Sequence, residues 1–154
     1  LDENIFVPLE MTNTQVYDES KPVIRNKALG YNQKKLLDDY SILTTGDGGI
    51  YSTTKDLYKF DQALRNGSLI NKNNSILMYN PFKLSDSKLS NYGFGWYIDD
   101  SKDNKIVSHT GGLSGFRDIF WRDLKNNKTI IVLTNQGDAF PVNSFLNDVK
   151  KTLN

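Results

Sequence analysis

The sequence predicts an α+β fold, an antiparallel sheet meander packed by helices, and three observations carry that expectation. Four runs rich in aromatic and β-branched residues, at 92–98, 105–110, 116–123 and 128–135, are separated by turn-type stretches: Asp99 to Asn104, Gly111 to Gly115, and Lys125-Asn126-Asn127. Leu57, Phe60 and Leu64 fall at i, i+3 and i+7, the apolar stripe of a helix. Val142, Leu146, Val149 and Leu153 repeat at i, i+4, i+7 and i+11 behind Pro141, the pattern of an amphipathic helix with proline in its first turn. Together they divide one region, 1–154, into helices and loops over 1–91, antiparallel strands over 92–135 and a covering helix over 141–154.

At the N-terminus, Ile5, Val7, Leu9 and Met11 alternate, and Pro8 makes the stretch an edge strand or extended segment. The glycine-dense stretch Thr44-Thr45-Gly46-Asp47-Gly48-Gly49-Ile50-Tyr51 reads as a turn leading into a helix over 53–66. Thr53 and Asp56 have capping-box spacing at its start, and Asn66-Gly67 supplies its stop. No Lys-Ser/Thr follows these glycines, so they form a tight turn and not a phosphate cradle. A short helix near 73–79 ends before Pro81.

Composition narrows the function classes. With 19 basic and 18 acidic residues the formal net charge is +1, and the lysines are scattered, so nothing forms the basic stripe of a nucleic-acid binder. There is no cysteine and a single histidine, which removes disulfides, thiolate sites and zinc spacings such as H-E-x-x-H; no metal or cofactor is implied. The longest aliphatic run, Ile130 to Leu133, is too short to span a bilayer. The chain begins Leu-Asp-Glu-Asn, like the inside of something longer.

The most informative motif is His109-Thr110-Gly111-Gly112, which holds the one histidine and sits in a strand-turn-strand context. Such an element places backbone N–H groups and one titratable ring on the rim of a pocket. Ser-x-x-Lys occurs at Ser52 to Lys55 and at Ser85 to Lys88, but about one such match is expected by chance in a chain of this composition, and both are decoys as nucleophiles. Tyr-x-Asn and Ser-x-Asn are absent. Tyr92, Phe94, Trp96, Phe116, Phe120 and Trp121 are mostly sheet core, with Tyr92 or Trp121 available to wall a pocket. Arg117 is open between binding a substrate carboxylate and a salt-bridged role. Asp138 reads as a turn residue preceding the last helix.

Five blocks in order resemble the serine β-lactamase and penicillin-binding-protein superfamily, in its class C β-lactamase, D-alanyl-D-alanine peptidase and esterase branch. They are Pro8 to Thr14, Gly46 to Leu57, Tyr92-Gly93-Phe94-Gly95-Trp96, His109 to Gly112, and Ile130 to Asn135. The resemblance implies the C-terminal part of a β-lactamase/transpeptidase-like fold in a longer enzyme, where a Ser-x-x-Lys serine is acylated and a Tyr-x-Asn element assists proton transfer. It assigns His109 and Thr110 to the substrate's carboxylate or carbonyl side, with the Gly111 and Gly112 backbone completing the strand and the Gly112 N–H donating to the oxyanion. Tyr92 and Arg117 are the candidate substrate-binding residues. The family's first two elements lie upstream of the block at Pro8, so the chain alone is expected to be inactive or nearly so. The expected substrate is a β-lactam, a peptidoglycan-type peptide or an ester. The strand at 128–135 would be an exposed edge that pairs with the missing N-terminal portion or a second copy. The family suggests a periplasmic, cell-envelope or secreted location. The competing expectation is a non-catalytic interaction module, or a degenerate member that binds a peptide without cleaving it.

Overall fold

The computed structural model describes residues 1–18, 20, 23–38, 46, 48–100 and 104–153. In chain order the elements are β1 (Gln15–Val16), β2 (Ile50–Tyr51), α1 (Thr54–Asn66), α2 (Lys72–Met78), β3 (Tyr97–Asp99), β4 (Ile106–Leu113), β5 (Phe116–Asp123), β6 (Lys128–Thr134) and α3 (Val142–Thr152). Strands β3-β4-β5-β6 form one antiparallel sheet in sequence order, while β1 and β2 form a separate two-stranded ladder. Among the described residues β3 and β6 are therefore the two edges of the main sheet.

The period-2 alternation of β5 sets up three layers. Ile119 and Trp121 point to one face and meet Ile130 and Leu146, with Val142, Val149 and Leu153 of the α3 region packed on them. The opposite face carries Val107 and Ile98, which join Leu64, Met78, Tyr79 and Trp96, with Phe60 and Phe120 against that cluster. Helix α1 thus covers one face and α3 the other, and the sheet lies between two apolar contacts.

The α1 side also buries charge. Arg122 is 1% exposed and its Nε donates to Asp61 Oδ1 at 2.6 Å, while Asp61 itself is 0% exposed. Arg65 Nε donates to Asp61 Oδ2 at 2.9 Å, and its other end reaches the Lys128 carbonyl at 2.9 Å and Thr129 Oγ1 at 2.7 Å. Arg122 also donates to the Tyr79 hydroxyl and lies over the Tyr79 and Trp96 rings. One carboxylate therefore links α1 to β5 directly and to β6 through Arg65.

The helix over 53–66 forms as the capping pattern dictates. The Thr53 side chain accepts from the Asp56 N–H, and the helix stops at Gly67 in a left-handed conformation. Thr44, Thr45 and Asp47 of the preceding turn, Pro22, and 101–103 of the predicted turn after Asp99 lie outside the described residues.

Three local expectations change. Residues 2–6 wind into a π-type helix instead of an extended segment, with the Phe6 N–H bonded to the Leu1 carbonyl and the Val7 N–H to Asp2. The winding continues to Met11, whose N–H reaches the Phe6 carbonyl, and it buries Phe6 and Met11 together. Burial of these two side chains, five apart, outweighs the alternating pattern. The strand expected at 92–98 shortens to Tyr97–Asp99, because the Gly93 N–H turns back to the Trp96 carbonyl at 2.8 Å. Strand β4 conversely runs on through Gly111 and Gly112 to Leu113, leaving a turn of only Ser114-Gly115.

That turn is clamped. The Gly115 N–H donates to the Asp38 carbonyl at 2.8 Å and the Gly137 N–H to the Gly115 carbonyl at 2.9 Å. A Cβ on Gly115 would lie 2.2 Å from Tyr31 N and from the Gly30 carbonyl carbon, so only glycine admits this backbone contact. The segment around Gly30–Tyr31 is thereby fastened under the end of β4, next to the residues described below.

Candidate active site

Among the described residues the site is an incompletely paired strand edge. Strand β3 has three residues, and its register covers β4 only from Ile106 to Ser108. Ile98 sends its N–H away from β4, to the Asn91 carbonyl at 2.7 Å, so Tyr97 and Asp99 are the β3 residues that bond across to Ser108 and Ile106. Backbone groups in a strand alternate sides. Thr110 and Gly112 therefore direct their N–H and C=O groups to the same edge as Ser108, past the point where β3 ends. His109 and Gly111 direct theirs to β5, opposite Phe120 and Asp118. All four residues from His109 to Gly112 are exposed.

His109 is held by two tyrosines. A hydrogen bond of 2.9 Å links its Nε2 to the Tyr92 hydroxyl. The Tyr97 ring stacks on the imidazole with centroids 5.6 Å apart at 27°. Tyr92 meets Tyr97 edge-on at 4.9 Å, so the three rings form one cluster at the mouth of the edge. On its other side Tyr92 lines an apolar cleft of about 410 Å³ with Leu77, Pro81, Phe82 and Phe94. Tyr92 thus touches the histidine and walls a cleft, whereas Trp121 is buried on the α3 side.

Arg117 lies across Gly112, and a Cβ there would come within 2.8 Å of one guanidinium nitrogen. The guanidinium donates to the Phe116 carbonyl at 2.8 Å and pairs with the Asp138 carboxylate, in the 3-10 turn Gly137–Ala139 that precedes α3. It sits beside the strand, but as the partner of an acid.

Sequence reasoning passed over Asp118. Its side chain packs against Gly111, 3.4 Å from where a Cβ would stand, and its Oδ1 accepts from the Thr134 N–H at 3.2 Å. Burial pushes its carboxyl up to about 6 from 3.8, partly offset by the Thr134 N–H and by the Arg117 charge. Between those two values the folded protein keeps a proton that the unfolded chain has lost. Stability therefore falls as pH rises from 3.8 to about 6, and the penalty is fully present above that window. Asp118→Asn, which keeps the acceptor oxygen, is expected to melt higher than the parent at pH 7.5, with the gain vanishing as pH falls through the window. Equal differences at all pH values in a thermal denaturation series would contradict the assignment.

The two Ser-x-x-Lys matches lie elsewhere. The Ser52 hydroxyl shares a 2.8 Å hydrogen bond with Thr14 Oγ1, in a group that also joins Thr14 to Asp56, and Lys55 is exposed on α1. Ser85 and Lys88 are exposed in the loop between α2 and β3, where Lys88 pairs with Asp86. Among the described residues no group of acidic or histidine side chains could hold a metal ion, and no helix is long and apolar enough to cross a membrane.

The Beta-lactamase family matches residues 1–149 of the chain. Penicillin-binding protein 4* of Bacillus subtilis (strain 168) is 33% identical, over 86% of this chain and 33% of its own length. The putative penicillin-binding protein PbpX of the same strain is 31% identical, over 86% of this chain and 32% of its own. The chain therefore spans about a third of the curated relatives it matches. Among solved structures, a penicillin-binding protein of Bacillus halodurans superposes with TM-score 0.74 at 21% identity, covering 96% of this chain and 47% of that one. The D-amino acid amidase of Ochrobactrum anthropi SV3, solved with D-phenylalanine, gives 0.69 at 21%, covering 99% and 52%. The octameric penicillin-binding protein homologue of Pyrococcus abyssi gives 0.71 at 24%, covering 91% and 33%. At these identities the structural likenesses establish the fold.

Proposed function

The chain belongs to the beta-lactamase family, and from that premise we propose that it forms the C-terminal part of a serine hydrolase that cleaves a β-lactam, a D-alanyl peptide or an ester through an acyl-enzyme. The observation that carries this reading is the open edge of β4. Thr110 and Gly112 present main-chain donors and acceptors where β3 has stopped, with His109 beside them. An extended acyl substrate laid along that edge continues the sheet by one strand, and its carbonyl oxygen meets the Gly112 N–H. Negative charge that develops on that oxygen in a tetrahedral intermediate is then met by a donor already in place. Two residues without side chains, Gly111 and Gly112, let the substrate backbone come close.

The acylated serine, its lysine and the tyrosine belong to an upstream portion. Ser52, bonded to Thr14, and Ser85, in an exposed loop, do not supply the nucleophile. The same upstream portion, or a second copy, would cover the β6 edge. Titration of the isotope-labelled chain with an N-acyl-D-alanyl-D-alanine peptide tests the binding half of this reading by NMR. The Thr110 and Gly112 amides are expected to move, and those of His109 and Gly111, engaged with β5, to move less. Shifts confined to other parts of the chain would rule out the edge as the substrate strand.

A further inference from the structure

We propose that Tyr92 is a positioning residue that selects the His109 tautomer protonated at Nδ1, with Tyr97 fixing the plane of the ring. This rests on the reading of β4 as the substrate strand. The first support is the bond itself, 2.9 Å between the Tyr92 hydroxyl and His109 Nε2. A phenol is a good donor and a poor acceptor, because its oxygen lone pair is drawn into the ring. The unprotonated nitrogen of imidazole is a good acceptor. The favourable arrangement has Tyr92 donating and Nε2 accepting, which puts the ring proton on Nδ1.

The second support is the stack. Tyr97 lies on the imidazole face at 27° and 5.6 Å, while Tyr92 approaches the same ring at 66° and 5.8 Å. An exposed histidine with one polar contact would still rotate about its side-chain bonds. A flat neighbour on one face and an edge-on neighbour carrying the hydrogen bond leave one orientation. The third support is placement: Tyr97 is the last residue of β3 before the open edge, and Tyr92 bridges to it. The device that holds the ring is therefore built where substrate would enter.

The consequence is a definite chemical role. With Nε2 occupied by the Tyr92 hydroxyl, His109 does not serve the strand as a proton acceptor at that nitrogen. It presents an N–H donor at Nδ1, on the residue that precedes Thr110 in the strand. Tyr92 acts through His109, and it need not touch substrate with its hydroxyl to matter.

One histidine in the chain makes the test clean, since every imidazole nitrogen signal belongs to His109. Long-range ¹H–¹⁵N spectra of the 154-residue chain at pH 8 report which ring nitrogen carries the proton. The expected result is an Nδ1–H majority. Tyr92→Phe, which keeps the ring and removes the hydroxyl, should lower the Nδ1–H to Nε2–H ratio by about fivefold, the equilibrium worth of one ordinary hydrogen bond. Tyr97→Phe should leave that ratio unchanged, and Tyr97→Leu should move the ring proton shifts of His109 without reversing the tautomer. An Nε2–H majority in the parent, or a ratio unmoved by Tyr92→Phe in a folded variant, overturns the proposal. Because the readout is a tautomer in the peptide-free chain and not the binding of a peptide, a failure here is distinguishable from a failure of the peptide titration.

Discussion

Asp61→Ala is expected to lower the melting temperature of the chain by roughly 10 °C, corresponding to about 3–5 kcal/mol for breaking a buried ion pair. The magnitude follows from what the substitution strands. Arg122, 1% exposed, would lose the carboxylate at 2.6 Å and be left with the Tyr79 hydroxyl, the main-chain carbonyl of residue 61 at 3.4 Å and two aromatic faces, none of which carries a compensating charge. A guanidinium is effectively always charged, so it cannot escape by losing its proton. Arg65 would lose the same carboxylate but retains carbonyl and hydroxyl acceptors on β6 and is partly exposed, so Arg122 suffers most. Asp61→Asn retains an acceptor oxygen for one of the two guanidinium groups and turns an NH2 donor toward the other, so it should cost less than the alanine change without being neutral. Arg122→Leu leaves Asp61 paired with Arg65, and should also cost less than Asp61→Ala. Thermal denaturation of the three variants tests that order; an Asp61→Ala protein as stable as the parent would mean that the two faces of this layer are not tied through Asp61.

The largest expected effect on chemistry is at Gly112. In a protein that joins this chain to an upstream Ser-x-x-Lys segment, as proposed, Gly112→Pro should lower kcat by about 10²–10³, the usual worth of one oxyanion donor. Proline removes the N–H without removing a ladder bond, because Gly112 faces the open edge and not β5, where proline is tolerated. A new Cβ also presses on Arg117, whose guanidinium sits 2.8 Å from that point and can swing aside. Gly112→Ala adds the same carbon and keeps the N–H, so it isolates the donor from the crowding. Alanine near parental activity with proline depressed supports the oxyanion role. Equal losses in both variants would place the effect in the Arg117–Asp138 pair instead.

Much of the frame was legible in the sequence because its signals are local. Thr53 and Asp56 marked a helix start that the backbone honours, and the spacing of Val142, Leu146 and Val149 predicted which face of α3 meets the sheet. The order of four antiparallel strands followed from short turns between them. What escaped depends on contacts between distant residues. Phe6 and Met11 are each buried by the winding of the N-terminal segment, so their odd spacing runs against an alternation pattern. The β1–β2 ladder joins Gln15–Val16 to Ile50–Tyr51 across more than thirty residues, and nothing in either dipeptide announces the other.

At the site, His109-Thr110-Gly111-Gly112 was legible as a motif, but the reason its edge is open was not. That reason is the shortening of β3 to three residues by the turn at Gly93 to Trp96. Tyr97 and Asp118 were missed because their roles exist only across the sheet, one stacked on His109 and one packed on Gly111. A usable signal did exist for Arg122. It falls in register with Phe120 on a core-facing side of β5, and a charge on an apolar face asks for a buried partner on the helix above, which Asp61 supplies.

The proposed division of labour gives this chain the substrate strand and the oxyanion donor and places the nucleophile outside it. The most direct measurement is exposure of the purified 154-residue chain to a fluorophosphonate and to a penicillin probe, read by intact mass and peptide mapping. An unmodified mass is expected with both probes. A stoichiometric adduct mapped to Ser52 or Ser85 would contradict it, since a serine placed in a Thr14 hydrogen bond or an exposed loop would then be the acylated residue.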